Sequence, residues 1–208
     1  MTATAAPPLA PRAPARAAGE DTPNRILDEA QALFSERGYV GTTVQQVAGK
    51  LGITKAALYY HFPQGKEEIF VELMRRHLRR LHQGLRQGIG SGETIRERLE
   101  GMADYIAAHA PAGDVEKLRR ELIHVSETHR AALRDAFHSL IVQTIHGVLR
   151  QGVERGELRE HDSEFVTWVF LNSVCGLSSD CPKACSLPAD APRALVSLLL
   201  DGIAEREA

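Results

Sequence analysis

Eight side chains within "TTVQQVAGKLGITKAALYYHFPQGK" (residues 42–66) have the types and spacing to hold a polyanion. Thr43 and Thr54 each fall at the expected start of a helix, where a hydroxyl and unpaired backbone N–H groups suit phosphate. Lys55 can bond guanine or phosphate, and the methyl of Ala56 permits close approach or contact with a thymine methyl. Tyr59 and Tyr60 are long, stiff side chains ending in a hydroxyl, able to reach phosphate with little loss of entropy. His61 and Lys66 extend the same polar surface.

For these groups to act together, short helices must hold them on one side. Thr43 has Gln46 three residues on, the spacing of a capping box. Val44, Val47, Ala48 and Leu51 then form an apolar stripe, and Gly52 ends the helix. Only Ile53 separates that stop from Thr54, a second good N-cap. Leu58 and Phe62 lie four apart and face inward with Ile53, which leaves Lys55, Ala56, Tyr59 and Tyr60 largely on other faces. Two short helices joined by a tight glycine-containing turn cross steeply, as in a helix-turn-helix. Upstream, Thr22 caps a helix, Pro23 suits its first position and Gly38 its stop. Ile26, Ala30, Leu33 and Phe34 give that helix one buried stripe. A generic helical hairpin has the same periodicity, so capping and spacing alone leave DNA recognition and plain packing both open.

Residues 24–72, through the ordered set "ILDEAQALFSERGYVGTTVQQVAGKLGITKAALYYHF…KEEIF", resemble the N-terminal domain of TetR-family transcriptional regulators. Phe34, Gly38, Tyr39, Thr42, Thr43, Val47, Ala48, Gly52, Leu58, Tyr59, His61, Phe62 and Lys66 fall in the family's pattern. The resemblance implies a dimer that binds a double-stranded DNA operator, usually as a repressor released by a small-molecule effector. It assigns phosphate contacts to Thr43, Thr54, Tyr59, Tyr60, His61 and Lys66. Base-edge contacts go to Lys55 and Ala56, with Tyr59 as a further candidate. The chain departs from the pattern in three places. Ala56 stands where Gly is common and Leu51 where Ala is common, and "PQG" makes the step from Phe62 to Lys66 one residue longer than usual.

Outside this quarter of the chain the agreement is in length and helical content only. The whole reads as all-α: a disordered tail over 1–21, a three-helix DNA-binding domain with helix-turn-helix over 22–68, and a C-terminal helical ligand-binding and dimerisation domain over 69–208. Helices are expected over 66–86, 95–109, 114–129, 130–155, 162–178 and 191–206, with a glycine-rich hinge at 88–94. By the family's habit the last two helices pair with a partner's. Val166, Val169, Phe170 and Ser173 would supply one stripe there, and Leu195, Leu198, Leu199 and Ile203 another. The same stripes would also close a monomer's own core; a palindromic operator favours the homodimer. Leu99, Met102, Tyr105, Ile106, Leu122, Ile123, Phe137, Ile141 and Trp168 are candidates to line an effector pocket, each equally placed to be plain core. His124 and His138 are possible polar anchors.

Net charge is −2, which argues against a uniformly basic nucleic-acid protein. The charge is uneven, however: residues 1–80 hold 11 Lys/Arg against 8 Asp/Glu, and the remainder 14 against 19. A basic face at the N-terminal end suits a polyanion. Three cysteines and no signal-peptide pattern point to the cytoplasm, and no apolar run is long enough for a membrane span. The C-x5-C-x3-C run of Cys175, Cys181 and Cys185 allows a thiol switch or a soft-metal site, though it lacks tight zinc spacing. Neither P-loop, G-x-G-x-x-G, G-x-S-x-G nor H-E-x-x-H is present, so neither an enzyme nor a cofactor is expected.

Overall fold

Apolar stripes and well-placed caps account for the elements of the computed structural model, which describes residues 22–90, 92–109, 120–178, 188 and 190–203. Helix α1 (Thr22–Gly41) buries Ile26, Leu27, Ala30, Leu33 and Phe34 and is kinked at Gly38, whose φ of 73° is open to glycine. The buried Thr42 hydroxyl closes its end, within reach of the carbonyls of Leu33 (3.1 Å) and Gly38 (2.9 Å). Helices α2 (Val44–Leu51) and α3 (Lys55–His61) follow, joined through the left-handed Gly52. Helix α4 (Lys66–Gly90) is the longest, and α5 (Ile95–His109) returns along it.

A 3₁₀ turn (Glu121–His124) leads into α6 (Glu127–Phe137), a π-helical turn (His138–Val142) and α7 (Gln143–Glu154). Helices α8 (Ser163–Ser178) and α9 (Ala191–Ile203) complete the described fold. The expected tail over 1–21, residues 114–119 of the expected fourth long helix, and most of the loop after α8 lie outside the described residues.

Two apolar cores form, and α4 runs through both. The first gathers α1–α3 around Ile69, Phe70 and Met74 of α4, and also takes in Val125 and Leu133. The second begins at Leu78 of α4 and continues through α5 and α7–α9. The helix from α6 to α7 therefore serves both, with Leu133 in the first core and Ile141 and Ile145 in the second. The π-helical turn lies at that change of allegiance.

Two local expectations are corrected. The break placed between residues 129 and 130 falls instead at Val125 and Ser126, because tertiary contacts make it: Val125 is buried in the first core, and the Ser126 N–H donates to Glu67 Oε1 on α4 (2.9 Å). Of the stretch expected as a hinge, Gly88 and Gly90 instead belong to α4, while Gly92 lies between α4 and α5. Gly88 is a packing contact, where an added Cβ would stand 2.7 Å from the Gly101 carbonyl oxygen on α5. Backbones this close admit no side chain between them.

Gly88→Ala is expected to force α4 and α5 apart and lower stability by about 1–3 kcal/mol. Gly147→Ala, in open space on α7, should raise it by about 0.5–1 kcal/mol. Thermal melts of both variants beside the parent chain check the pair, and equal shifts would contradict the close approach.

Candidate nucleic-acid interface

Helices α2 and α3 bury one side of each helix and leave the other uncovered. Val44, Val47, Ala48, Leu58 and Phe62 pack inward; Thr43, Thr54, Lys55, Ala56, Tyr59 and Tyr60 are exposed, and His61 is half-exposed. The capping box at α2 is complete. Thr43 Oγ1 accepts the Gln46 N–H (3.2 Å), and Gln46 Oε1 accepts the Thr43 N–H (2.8 Å) and lies 3.1 Å from the Thr43 hydroxyl. That hydroxyl is therefore engaged. Thr54 Oγ1 accepts the Ala57 N–H (3.1 Å), which leaves its proton to donate outward.

On α3 the rings differ in how firmly they are held. Tyr60 is 83% exposed and touches His61 edge-on at 5.2 Å. Tyr59, 39% exposed, lies beneath the Lys55 ammonium (5.7 Å to the ring centroid) and against the Gly65 backbone. Seven of the eight predicted side chains are thus exposed or half-exposed. The eighth, Lys66, is directed elsewhere: its ammonium donates to the Tyr39 carbonyl (3.0 Å) and sits 4.3 Å over the Tyr39 ring. Burial pushes its pKa down, with a smaller opposing pull from Glu121. It binds the end of α1 to the start of α4, a cation at a helix C-terminus.

The basic run further along α4 is mostly paired. Arg76 bonds Asp28 and Gln31 of α1, while Arg75 and Arg79 meet Glu72.

The model for bacterial regulatory proteins of the tetR family matches residues 26–73, which contain this whole surface. The KstR2 transcriptional repressor of Rhodococcus jostii is 28% identical over 183 residues, spanning 86% of this chain and 89% of the relative. That of Mycobacterium tuberculosis H37Rv is 33% identical over 173 residues, spanning 78% and 83%. The chain belongs to the TetR family. The solved structure of the M. tuberculosis ketosteroid transcriptional regulator KstR2 superposes with a TM-score of 0.61 at 26% identity, over 90% of this chain and 97% of that one. As a TetR-family member the protein is an all-α, DNA-binding transcriptional regulator and not an enzyme.

Beyond the first core the predicted residues are scattered more widely. Leu99, Met102, Ile106 and Ile141 meet in the second core, with Phe137 packed at its edge. Tyr105 is half-buried, its hydroxyl donating to the Arg80 carbonyl (3.3 Å) and its ring stacked on His109. Leu122 packs on the first core and Ile123 is 73% exposed, so neither joins that set. The 3₁₀ turn folds over α1, where His124 stacks on Tyr39, rather than following α5. His138 is exposed. An open cleft of about 290 Å³ bounded by Thr94, Ile95, Arg96, Glu157, Leu158 and Leu200 contains none of the predicted lining.

On α8, Val166 and Phe170 face the protein's own core, while Val169 and Ser173 are half-buried. Leu195 and Leu199 of α9 pack partly on that core and Leu198 is 72% exposed; the Ile203 side chain lies outside the described residues. The side of α8 left open carries Phe165 (65% exposed) and Trp168 (39%), the latter expected in the pocket. Because α8 is apolar around much of its circumference, periodicity could not say which face looks outward. Cys175 is exposed on the same helix, and Cys181 and Cys185 lie outside the described residues. Among the described residues no group of three or more His, Cys, Asp or Glu is placed to hold a metal, and no helix is long and apolar enough to cross a membrane.

One cluster that spacing did not reveal joins the two parts of the chain. Glu67, in the first turn of α4, accepts the Ser126 N–H and lies 2.7 Å from His129 Nδ1 on α6. Hydrogen bonds from the Ser126 side chain and then the His129 ring hold its carboxyl at about 2, below the ordinary 4.5, against the opposite push of burial. A depressed carboxyl pKa stabilises fully above the unfolded value, about 4.5, and that stabilisation is lost as pH falls toward about 2. Glu67→Gln is expected to cost roughly 1–2 kcal/mol at neutral pH. It should also flatten the loss of stability on acidification below pH 4.5 in urea titrations; unchanged acid sensitivity would contradict the contact.

Proposed function

We propose that the protein is a cytoplasmic repressor that binds a near-palindromic operator as a homodimer and releases it when a small apolar effector enters the C-terminal domain. The observation that carries the reading is the uncovered face of α2 and α3. Two capped helix starts, Lys55, Ala56, Tyr59 and Tyr60 stand exposed, and His61 half-exposed, on helices otherwise anchored by buried apolar residues. In this reading α3 enters the major groove. Lys55 and Ala56 meet base edges, with Tyr59 beside them, while Thr43, Thr54, Tyr59, Tyr60 and His61 meet phosphates. Lys66 acts mainly by holding α1 to α4.

The homodimer is supported by Phe165, Trp168 and Leu198, large apolar side chains exposed on the last two helices. Half-sites one DNA turn apart, roughly 34–36 Å, then require two recognition helices related by a two-fold axis. The effector is an apolar compound admitted beside Leu99, Met102, Ile106, Phe137 and Ile141. Similarity to a relative described as a ketosteroid regulator makes ketosteroids the first class to test.

The test uses a duplex selected from a random pool by the wild-type chain, with binding followed by fluorescence anisotropy. Lys55→Ala should relax sequence preference, worth about 1–3 kcal/mol at the affected base pair. Leu198→Glu should yield folded monomers in sedimentation and bind the duplex at least tenfold more weakly. A Lys55→Ala chain with unchanged preference would refute the docking, and a Leu198→Glu chain that still dimerises would refute the interface.

A further inference from the structure

The turn between α3 and α4 is one residue longer than the family's common spacing, and the structure gives the extra length a local form. Pro63, Gln64 and Gly65 make the turn, with Gly65 at φ 66°. The Gly65 N–H donates to the Phe62 carbonyl (2.8 Å), and the Gly65 carbonyl accepts the Ile69 N–H (3.1 Å), so the residue both closes α3 and opens α4. The Gln64 N–H is taken by Glu68 Oε2 (2.9 Å). The turn is fixed at each of these points.

The Tyr59 ring lies directly on this turn. A Cβ at position 65 would stand 2.9 Å from Tyr59 Cε1, 3.5 Å from Cζ and 3.4 Å from the phenolic oxygen. The ring is rigid, so it can make room for a Cβ only by moving as a whole. One helical turn earlier, the Lys55 ammonium sits over the same ring at 5.7 Å. The outcome shows in the exposures: Tyr59 is 39% exposed, and its neighbour Tyr60, with no such support, 83%.

We propose that Gly65 is a positioning residue for operator binding: its bare backbone is the floor on which the Tyr59 ring lies, so that the phenolic hydroxyl is preset toward a DNA phosphate. Any side chain at position 65 lifts the ring. The benefit is preorganisation, since a hydroxyl already held in place loses little freedom on binding. The proposal rests on the reading that α3 docks on DNA and that Tyr59 contacts phosphate.

The test separates ring support from backbone strain. Asn tolerates positive φ better than other side chains but carries the obstructing Cβ, so Gly65→Asn mainly probes the collision. Affinity for the selected duplex is measured over a range of KCl for the parent, Gly65→Asn, Tyr59→Phe and the double variant. Gly65→Asn and Tyr59→Phe should each weaken binding about tenfold, the loss of one hydrogen bond to a charged group. The salt slope should not change, because no cation is removed. The double variant should bind no worse than either single one.

If Gly65→Asn weakens binding equally with Tyr or Phe at position 59, the floor is wrong while Tyr59 keeps its phosphate role. If Tyr59→Phe alone has no effect, the phosphate reading fails and the proposal with it. In the wild-type chain, an NMR cross-peak between the Tyr59 ring and Gly65 Hα is expected without DNA. Its absence would overturn the floor even if the Asn variant does not fold.

Discussion

The structure turns on the burial of one ring, Tyr39, at the end of α1. It packs 5.7 Å from Phe34 of its own helix and edge-on at 5.0 Å against Phe70 of α4, and those two meet each other at 5.6 Å. Its other contacts come from elements distant in sequence. The Lys66 ammonium covers it at 4.3 Å, and the His124 ring stacks on it at 6.3 Å. Burial, with the Glu67 charge nearby, pushes its pKa up. Gly38 makes the arrangement possible. Its positive φ turns the chain sharply before Tyr39, and Glu121 takes the space its missing side chain leaves.

From that node the long helix α4 carries position in both directions. Its first turns belong to the core that holds α2 and α3, and from Leu78 onward it belongs to the core shared with α5 and α7–α9. The link is doubled by Val125, just after the 3₁₀ turn, and Leu133 of α6, which enter the first core, and by the bond of Glu67 to Ser126 and His129. On the proposed function, effector entry beside Ile141 and Phe137 displaces the same continuous helix whose other end holds Leu133. Two connections then tie effector site to DNA face, one through α4 and one through α6. Coupling of this kind is typically worth about 1–3 kcal/mol.

What could be read before the structure divides along a physical line. Caps and single-faced amphipathic helices are local, and Thr43, Gln46, Gly52, Thr54, Leu58 and Phe62 act as their spacing says. Groups whose surroundings come from elsewhere were less legible. Lys66 has the charge for phosphate, yet the Tyr39 carbonyl and ring lie 27 residues upstream and claim it. Ile123 has the chemistry of a pocket wall, yet its turn folds over α1. On α8, apolar on several sides, Val166, Phe170, Phe165 and Trp168 carry no mark of which pair looks outward. Gly65 is intermediate: the added residue was visible in "PQG", but the ring resting on it was not.

On the proposed function, the exposed face of α2 and α3 is where DNA is bound. Hydrogen–deuterium exchange of the full chain, with and without the selected duplex, tests it without any substitution. Protection on DNA binding is predicted in peptides covering residues 43–62, strongest across α3. Exchange in those peptides that is unchanged by saturating duplex, with protection confined to the arginine-bearing stretch 75–86 or to the C-terminal helices, would contradict it.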